Sequence, residues 1–161
     1  MINESKVAKH YEKPNLYDVI VQGLQDTGLA LDSLSSENLS MVDEFHIGGT
    51  SGTKFVTEKL SYSENSKILD IGCGIGGPAR FLAENSNCSV TGIDLTASYI
   101  ETGNKLTKLV GLEDKVQLVS ASALEIPFGK NTFDSSYMIH VGMNISEKSK
   151  LMSEVFRVTK P

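Results

Sequence analysis

The sequence predicts an α/β fold in which a parallel sheet carries helices on both faces and a helical segment precedes the sheet. Two observations support this class. From Lys67 onward, short apolar segments alternate with segments of helical periodicity, and a glycine-rich turn follows the first apolar segment. Strands that alternate with helices form parallel sheets with right-handed crossovers. Ligands bind such sheets at the carboxyl ends of the strands, so we expect the functional site there.

Length and composition indicate a globular chain with one substantial core. It has 161 residues, of which 40% are hydrophobic and 22% charged, and a net charge of −5. No lysine or arginine run offers a face for nucleic acid, and no apolar stretch approaches the ~20 residues that span a bilayer. The polar start, MINESKVAKH, is not a signal peptide. Cys73 and Cys88 form neither a metal spacing nor a disulfide framework, so we expect a reducing, cytoplasmic setting without a metal, nucleic-acid or membrane partner.

Residues 1–66 are predicted to be a helical segment that caps the ligand pocket. LYDVIVQGL predicts a helix whose apolar face consists of Leu16, Val19, Ile20 and Leu24. SSENLSMVDEF predicts a short helix that is capped at Ser35 or Ser36 and turns Leu39, Val42 and Phe45 inward. HIGGTSG predicts a flexible break, and TKFVTEKL a further helix.

Residues 67–161 are predicted to form the ligand-binding α/β domain, with strand order 3-2-1-4. The predicted strands are KILDI, CSVTGID, KVQLVSA and the segment 133–139. The predicted helices are PARFLAEN, ASYIETGNKLTKLV (closed by Gly111) and SEKSKLMSEVFRV. The last helix is expected to be capped by Ser146 and to bury Leu151, Met152, Val155 and Phe156.

A glycine loop follows the first predicted strand. Gly72, Gly74 and Gly77 satisfy G-x-G-x-x-G, and Asp94 ends the second strand at the distance expected of an acid that binds a ribose diol. Strand, loop, helix and acid therefore occur in the order of a nucleoside-binding site. A tight turn with a packing role only is the alternative, but it leaves the acid unexplained.

Two nucleoside cofactors remain as interpretations of this loop. A dinucleotide places its pyrophosphate on N–H groups at the helix N-terminus, where Pro78 removes one donor. Asp70, two residues before the first glycine, repels a diphosphate but suits an ammonium group. S-adenosylmethionine combines a ribose with an amino-acid ammonium and has no phosphate, so the residues favour it. A nicotinamide-dependent oxidoreductase is the alternative.

The same residues resemble a known family. ILDIGCGIGGPARFLA, followed by VTGIDLT, resembles the Rossmann-like class I S-adenosylmethionine-dependent methyltransferases. DEFHIGG, ALEIPF, FDSSYMIHVGMNI and EVFRVTKP are similar to the small-molecule branch that includes sarcosine/dimethylglycine N-methyltransferase-like proteins, and the resemblance covers residues 43–161. It implies methyl transfer from S-adenosylmethionine to a small molecule, with an amine nitrogen preferred. Lipid-like and quinone acceptors stay open.

The resemblance also implies which residues bind the cofactor. The backbone of Gly72, Cys73 and Gly74 is expected to face the methionine part, and Asp70 to orient its ammonium group. Asp94 is expected to accept both ribose hydroxyls, as a carboxylate does well.

The adenine contacts include one departure from the family pattern. Leu95 is expected to cover one face of the ring, and the backbone N–H of Ala123 to contact its edge. Ser122 stands where the family usually has an aspartate that receives the adenine amino group. The serine is expected to accept a weaker hydrogen bond.

Candidate contacts to the methyl acceptor are fewer. His140 ends the fourth strand beside the expected methyl group and is the candidate catalytic base or polar contact, with a strand-capping role as the alternative. His46 is expected to line the pocket, with a loop-orienting role as the alternative. Met143 and Asn144 are expected to contact the methionyl chain, and Tyr11 to close over a cationic acceptor; packing is the alternative for Met143 and Tyr11.

The chain ends at RVTKP, where the family normally continues into a fifth strand and an antiparallel pair. The C-terminal strands are therefore expected to be absent, with one edge of strand 4 left bare. Three interpretations stay open: a truncated chain, one part of a split protein, and a chain that dimerises through this edge. A cofactor-binding fragment without catalysis is the third function class.

Overall fold

The computed structural model describes residues 4–44 and 46–161; Phe45, predicted to turn inward, lies outside them. Seven α-helices occupy these residues: α1 Glu4–Tyr11, α2 Leu16–Asp26, α3 Ser36–Asp43, α4 Gly49–Thr57, α5 Gly77–Asn85, α6 Ala97–Leu109 and α7 Lys148–Val158. The described strands are β1 Lys67–Ile71, β2 Ser89–Asp94, β3 Val116–Ser120 and β4 Ser135–Tyr137. Short 3-10 turns occur at Leu31–Ser33 and Gly142–Asn144.

The strands form one parallel sheet in the order β3-β2-β1-β4, which confirms the predicted fold class and strand order. Asp70 of β1 lies beside Gly92 of β2 and Tyr137 of β4. Asp94 of β2 lies beside Ser120 of β3. The carboxyl ends of all four strands therefore meet at one edge of the sheet.

Apolar side chains fill both faces of the sheet, as expected when helices cover a parallel sheet. One face packs against α5 and α6 through Ile68, Val90, Leu118, Leu82 and Ile100. The other packs against α7 through Leu69, Ile71, Ile93, Leu151 and Val158. A third cluster joins the N-terminal helices to α6 through Ile20, Leu24, Leu39, Ile75 and Leu106.

A buried ion pair joins the N-terminal helices to the α/β domain. Arg80 of α5 is fully buried, and its Nη2 lies 2.7 Å from Oδ2 of Asp43 at the end of α3. Its Nη1 donates to the carbonyl of Gly103 and to Oγ1 of Thr107, both on α6. One guanidinium thus connects three helices.

The predicted flexible break at HIGGTSG is wrong in its second half. Gly49 begins α4, four residues before the predicted helix. Gly48 has a φ of 100°, a left-handed conformation that glycine adopts without strain, and it supplies the turn before the helix. The glycines here start a helix rather than separate two flexible segments.

Helix α7 buries only part of its predicted apolar face. It begins at Lys148, and no side-chain hydrogen bond caps it, so Ser146 is not its cap. Met152 and Phe156 are 53% and 83% exposed, and the side chains turned to the sheet are Leu151, Val155 and Val158. That i, i+4, i+7 set confirms Leu151 and Val155 of the predicted face. The predicted burial of Met152 and Phe156 is wrong, and Val158 is buried instead.

Strand β4 is shorter than predicted, and its outer edge is partly paired. Phe133 forms an isolated parallel bridge with Thr159. The N–H of Lys160 donates to the carbonyl of Phe133 at 2.8 Å, and Oγ1 of Thr159 donates to Oγ of Ser136 at 3.0 Å. The expectation of a bare edge is therefore wrong at Phe133 and Ser136.

Candidate functional site

Two adjoining cavities open at the carboxyl ends of the strands. Their volumes are about 310 Å³ and about 180 Å³. Gly72, Leu95, Val141 and Asn144 line both of them. The glycine loop and the residues after β4 therefore form the boundary between two connected compartments, at the position where open α/β sheets bind ligands.

The glycine loop brings backbone to the cavity wall. Gly72 and Gly74 have φ values of 77° and 55°. A Cβ on Gly72 would lie 2.5 Å from Cβ of Val141, whereas a Cβ on Gly74 would meet nothing within 4 Å. Gly72 thus permits a close approach within the protein, and Gly74 presents its backbone to open space. The N–H groups of Gly72 and Cys73 both donate to the carbonyl of Ile93, which ties the loop to β2.

Two backbone hydrogen bonds fix the Asp94 carboxylate. Its Oδ2 accepts from the N–H of Gly74 at 3.1 Å, and its Oδ1 from the N–H of Thr96 at 2.9 Å. Burial raises the pKa of Asp94, and these N–H donors lower it. Each carboxylate oxygen has a further lone pair, so the oriented group can accept two hydroxyl donors in the smaller cavity that it lines.

Asp70 is a buried carboxyl with one oxygen left without a hydrogen-bond partner. The residue is 2% exposed and lines the smaller cavity, and Oδ2 is the unpartnered atom. Burial raises the pKa of Asp70 to about 7; the Tyr137 hydroxyl lowers it and the Asp94 carboxylate raises it further. A carboxylate at this cavity wall attracts a cation, so the residue fits the ammonium group of S-adenosylmethionine.

Cys73 borders the same cavity but is not a nucleophile of ordinary reactivity. The residue is 5% exposed, and burial raises the pKa of its thiol well above the usual value. The thiolate is the reactive form of cysteine, and this site disfavours it.

A carboxylate lies against the N-terminus of α5. A Cβ on Gly77, the first residue of that helix, would lie 2.6 Å from the carbonyl oxygen and 2.8 Å from Oδ1 of Asp43. Pro78 follows and has no N–H. Because a pyrophosphate would require this space and these donors, the arrangement disfavours a dinucleotide.

The larger cavity has apolar walls and polar ends. Leu95, Ala121 and Ala123 line it, as do Ser122 and Glu4 of α1. Oγ of Ser122 donates to Oε1 of Glu4 and accepts from the N–H of Leu124 at 3.0 Å. Apolar walls suit the faces of a planar ring, and the polar groups suit its edge.

The fold brings His46 and His140 together. Their ring centroids are 5.8 Å apart, and both residues line the smaller cavity. Nε2 of His46 lies 2.6 Å from Oε2 of Glu44 and 2.9 Å from Oγ1 of Thr53. His140 has a φ of 53°, and its Nδ1 accepts from the N–H of Ile47 at 3.2 Å.

The remaining predicted site residues divide into two groups. Asn144 lines both cavities, and Tyr11 lines the smaller one with its ring 6.3 Å from that of Tyr99. Met143 lines neither and is 71% exposed, so the structure does not bring it into the cavity walls.

Sequence reasoning missed four acidic residues that line the two cavities, Glu4, Asp43, Glu125 and Glu147, and also Glu44, which contacts His46. Asp43 and Glu44 stand beside His46 in DEFHIGG, and two acids next to a candidate histidine were an available signal. Glu4 had none, because its place at the larger cavity depends on how α1 packs.

This sheet order, with a glycine loop after β1 and acids on β1 and β2, defines the class as that of the class I S-adenosylmethionine-dependent methyltransferases. Residues 69–161 match the methyltransferase domain family, and the chain belongs to that family. The family resemblance expected from the motifs is therefore confirmed.

Curated relatives carry the same domain within longer chains. The sterol 24-C-methyltransferase of Debaryomyces hansenii is 33% identical over 107 residues, which are 66% of this chain and 28% of the relative. The chain spans between 28% and 33% of the length of this relative and the next three that it matches.

Solved structures agree on the fold. The [4+2]-cyclase SpnF superposes with a TM-score of 0.76 at 21% identity, covering 99% of this chain and 57% of its own. A Haemonchus contortus phosphoethanolamine N-methyltransferase 2 in complex with S-adenosyl-L-methionine gives 0.69 at 26%, covering 74% and 28%. A Galdieria sulphuraria protein described as a sarcosine dimethylglycine methyltransferase gives 0.59 at 27%, covering 69% and 41%. S-adenosylmethionine is thus the cofactor of this class, as predicted.

Proposed function

We propose that this chain binds S-adenosylmethionine in the two cavities and places its methyl group before a small-molecule acceptor. The observation that carries the proposal is the Asp70 carboxyl, which is 2% exposed and lines the smaller cavity beside the glycine loop. A carboxyl costs folding free energy when it is buried, so its retention at a cavity wall points to a cationic ligand that pairs with it.

The cofactor contacts follow the geometry of the strand ends. Asp70 pairs with the ammonium group, and the backbone of Gly72 and Gly74 faces the methionyl chain. Asp94 accepts the ribose hydroxyls, and Leu95, which lines both cavities, covers one face of the adenine. The ring then extends into the larger cavity.

The charge of the smaller cavity supports an amine acceptor. Asp43, Asp70 and Asp94 line it, and its described lining includes no lysine or arginine. Arg80 is paired with Asp43 behind the wall. A negative field attracts the cofactor's sulfonium and a positively charged amine, as found for cavities lined by one sign of charge.

Positioning accounts for most of the expected rate enhancement. The bound cofactor supplies a methyl group that is already activated for in-line transfer. The protein holds the two reactants in contact and excludes water. His140 and His46 border the smaller cavity, which supports them as the side chains that contact the acceptor.

An apolar acceptor that is methylated at carbon is the second candidate. Ile47, whose N–H contacts His140, is 86% exposed, and Met143, three residues after His140, is 71% exposed. Exposed apolar side chains next to a cavity are suited to a hydrophobic ligand. The curated sterol methyltransferases also support this candidate.

Calorimetric titration with S-adenosylhomocysteine, with NAD in parallel, tests the cofactor assignment. We expect saturable binding of S-adenosylhomocysteine alone, and its loss in Asp94→Ala, because that variant removes the diol acceptor. Binding of NAD alone would overturn the proposal and support an oxidoreductase. Binding of neither ligand by a chain with native circular dichroism would overturn it as well.

Transfer of a labelled methyl group to a panel of amines and a panel of isoprenoid alcohols then separates the acceptor classes. Label in the amines supports the first candidate, and label in the isoprenoids supports the second. Cofactor binding without transfer to either panel supports the fragment without catalysis.

A further inference from the structure

We propose that Glu4 of the N-terminal helix α1 is the carboxylate that recognises the exocyclic amino group of the adenine. The inference rests on the proposed function, because it assigns a residue to the base-binding part of the same site. It concerns a residue far in sequence from the glycine loop, supplied by an element that precedes the α/β domain.

The strand register sets the direction in which the base lies. Asp94 pairs with Ser120 at the ends of β2 and β3, and the N–H of Ala121 donates to the Asp94 carbonyl at 3.0 Å. A nucleoside held by the Asp94 carboxylate and covered by Leu95 therefore extends past the end of β3. That direction leads into the larger cavity, which Ala121, Ser122 and Ala123 line.

Glu4 is held at this cavity by a chain of hydrogen bonds. The N–H of Leu124 donates to Oγ of Ser122, and this hydroxyl donates its proton to Oε1 of Glu4. A hydroxyl has one proton, so Ser122 has none left for a ligand. The carboxylate keeps most of its acceptor positions free and faces the same cavity.

Helix α1 contacts the site at both of its ends. Glu4, its first residue, lines the larger cavity, and Tyr11, its last, lines the smaller one. The Tyr11 ring lies 6.3 Å from that of Tyr99 on α6. The helix therefore runs along both compartments, and a cofactor that fills them must lie beneath it.

The hydrogen-bonding chemistry of the Glu4 carboxylate fits the edge of adenine that carries the amino group. A carboxylate accepts hydrogen bonds only, so it pairs with the amino group at position 6 and repels a carbonyl oxygen at that position. Glu125 and Glu147 also line the cavity. Among these three described acids, Glu4 is the one that Ser122 orients by a hydrogen bond.

Dissociation constants for S-adenosylhomocysteine and for S-inosylhomocysteine, which has a 6-oxo group, test the assignment. We expect the unaltered chain to prefer the adenine ligand at least about tenfold, equivalent to ~1.4 kcal/mol. In Glu4→Gln the ratio should fall to within about twofold, because the amide donates to the 6-oxo group.

Glu12→Gln is the matched control: it makes the same change in charge just after α1, at a residue that lines neither cavity, and should keep the ratio. A Glu4→Gln variant that keeps the full preference overturns the inference, as does loss of the preference in Glu125→Gln instead. If the unaltered chain binds neither ligand, the proposed function fails too. Binding with an unchanged ratio in Glu4→Gln overturns the Glu4 assignment alone.

Discussion

At the scale of single residues, the charged form of Asp70 lowers the stability of the fold and is the form that we expect to bind the ligand. Burial raises its pKa to about 7, so the folded chain holds this proton more tightly than the unfolded chain, where the usual value is 3.8. Between about pH 4 and pH 7 the folded state binds more protons, and its stability therefore falls as the pH rises. Asp70 is charged, and therefore able to pair with an ammonium ligand, only at the pH values at which it destabilises the fold.

Replacing Asp70 by asparagine should raise the melting temperature of the ligand-free chain at pH 8. The same variant should bind S-adenosylhomocysteine about tenfold more weakly or worse, because a charged hydrogen bond to the ammonium is lost. At pH 5 the carboxyl is protonated in the folded state but still largely ionised in the unfolded chain, so the gap in melting temperature should shrink without closing.

Thermal unfolding at the two pH values and calorimetry provide the measurements. Asp114→Asn, at an exposed carboxylate, should change neither quantity. Equal melting temperatures for Asp70→Asn and the unaltered chain at pH 8 would contradict the raised pKa.

At the scale of elements, the Asp43–Arg80 pair connects α3 to α5 and α6. Asp43→Ala should destabilise the fold by about 3–5 kcal/mol, because it leaves the Arg80 guanidinium buried without a counter-charge. Urea denaturation measures the loss. Glu101→Ala breaks the exposed Glu101–Lys105 pair and should leave stability unchanged within error. A similar loss in both variants would show that burial is not the cause.

Two glycines in helices allow the packing of α6 and of α2 to be compared. A Cβ on Gly103 of α6 would lie 2.4 Å from Cδ1 of Leu118 and 2.7 Å from the Ile75 carbonyl oxygen, whereas a Cβ on Gly23 of α2 would meet nothing within 4 Å. Gly103→Ala should therefore cost about 1–3 kcal/mol, as overpacked cores do. Gly23→Ala should stabilise by about 0.5–1 kcal/mol through helix propensity. Urea denaturation of the two variants would contradict this packing if both changed stability in the same direction.

At the scale of the whole molecule, the cofactor is expected to contact the helical segment and the α/β domain together. The two cavities are lined by residues from Glu4 to Lys150, so a ligand that fills them links distant parts of the chain. S-adenosylhomocysteine at 100 times its dissociation constant should stabilise the fold by about 2.7 kcal/mol. For a chain of this size, that is a rise in melting temperature of roughly 5–10 °C. NAD is the control in the same scan, and a rise with NAD alone would contradict the assignment.

Local patterns in the sequence predict many of the structural elements of this chain. The first three strands and the glycine loop follow from short patterns between Lys67 and Ser120, since the alternation of apolar segments and the glycine spacing are properties of neighbouring residues. Two of the four residues predicted to be buried on α7, Met152 and Phe156, are exposed, because they are as apolar as Leu151 and only packing distinguishes them.

The acidic residues of the candidate site also divide into those that the sequence predicts and those that only the structure reveals. Asp70 and Asp94 are found from sequence because they stand at strand ends beside a recognisable loop. Glu4 reaches the site through a helix whose docking has no local signature, so only the three-dimensional structure places it there.

The contact between Ile47 and His140 determines which ring nitrogen carries a proton. A backbone N–H only donates, so Nδ1 of His140 must be unprotonated while that contact exists. The neutral imidazole then has its hydrogen on Nε2 and offers a donor, with no free lone pair for an incoming proton. For Nδ1 to contact an acceptor instead, the Ile47 N–H must leave it, so the availability of this nitrogen depends on the position of the turn at Ile47.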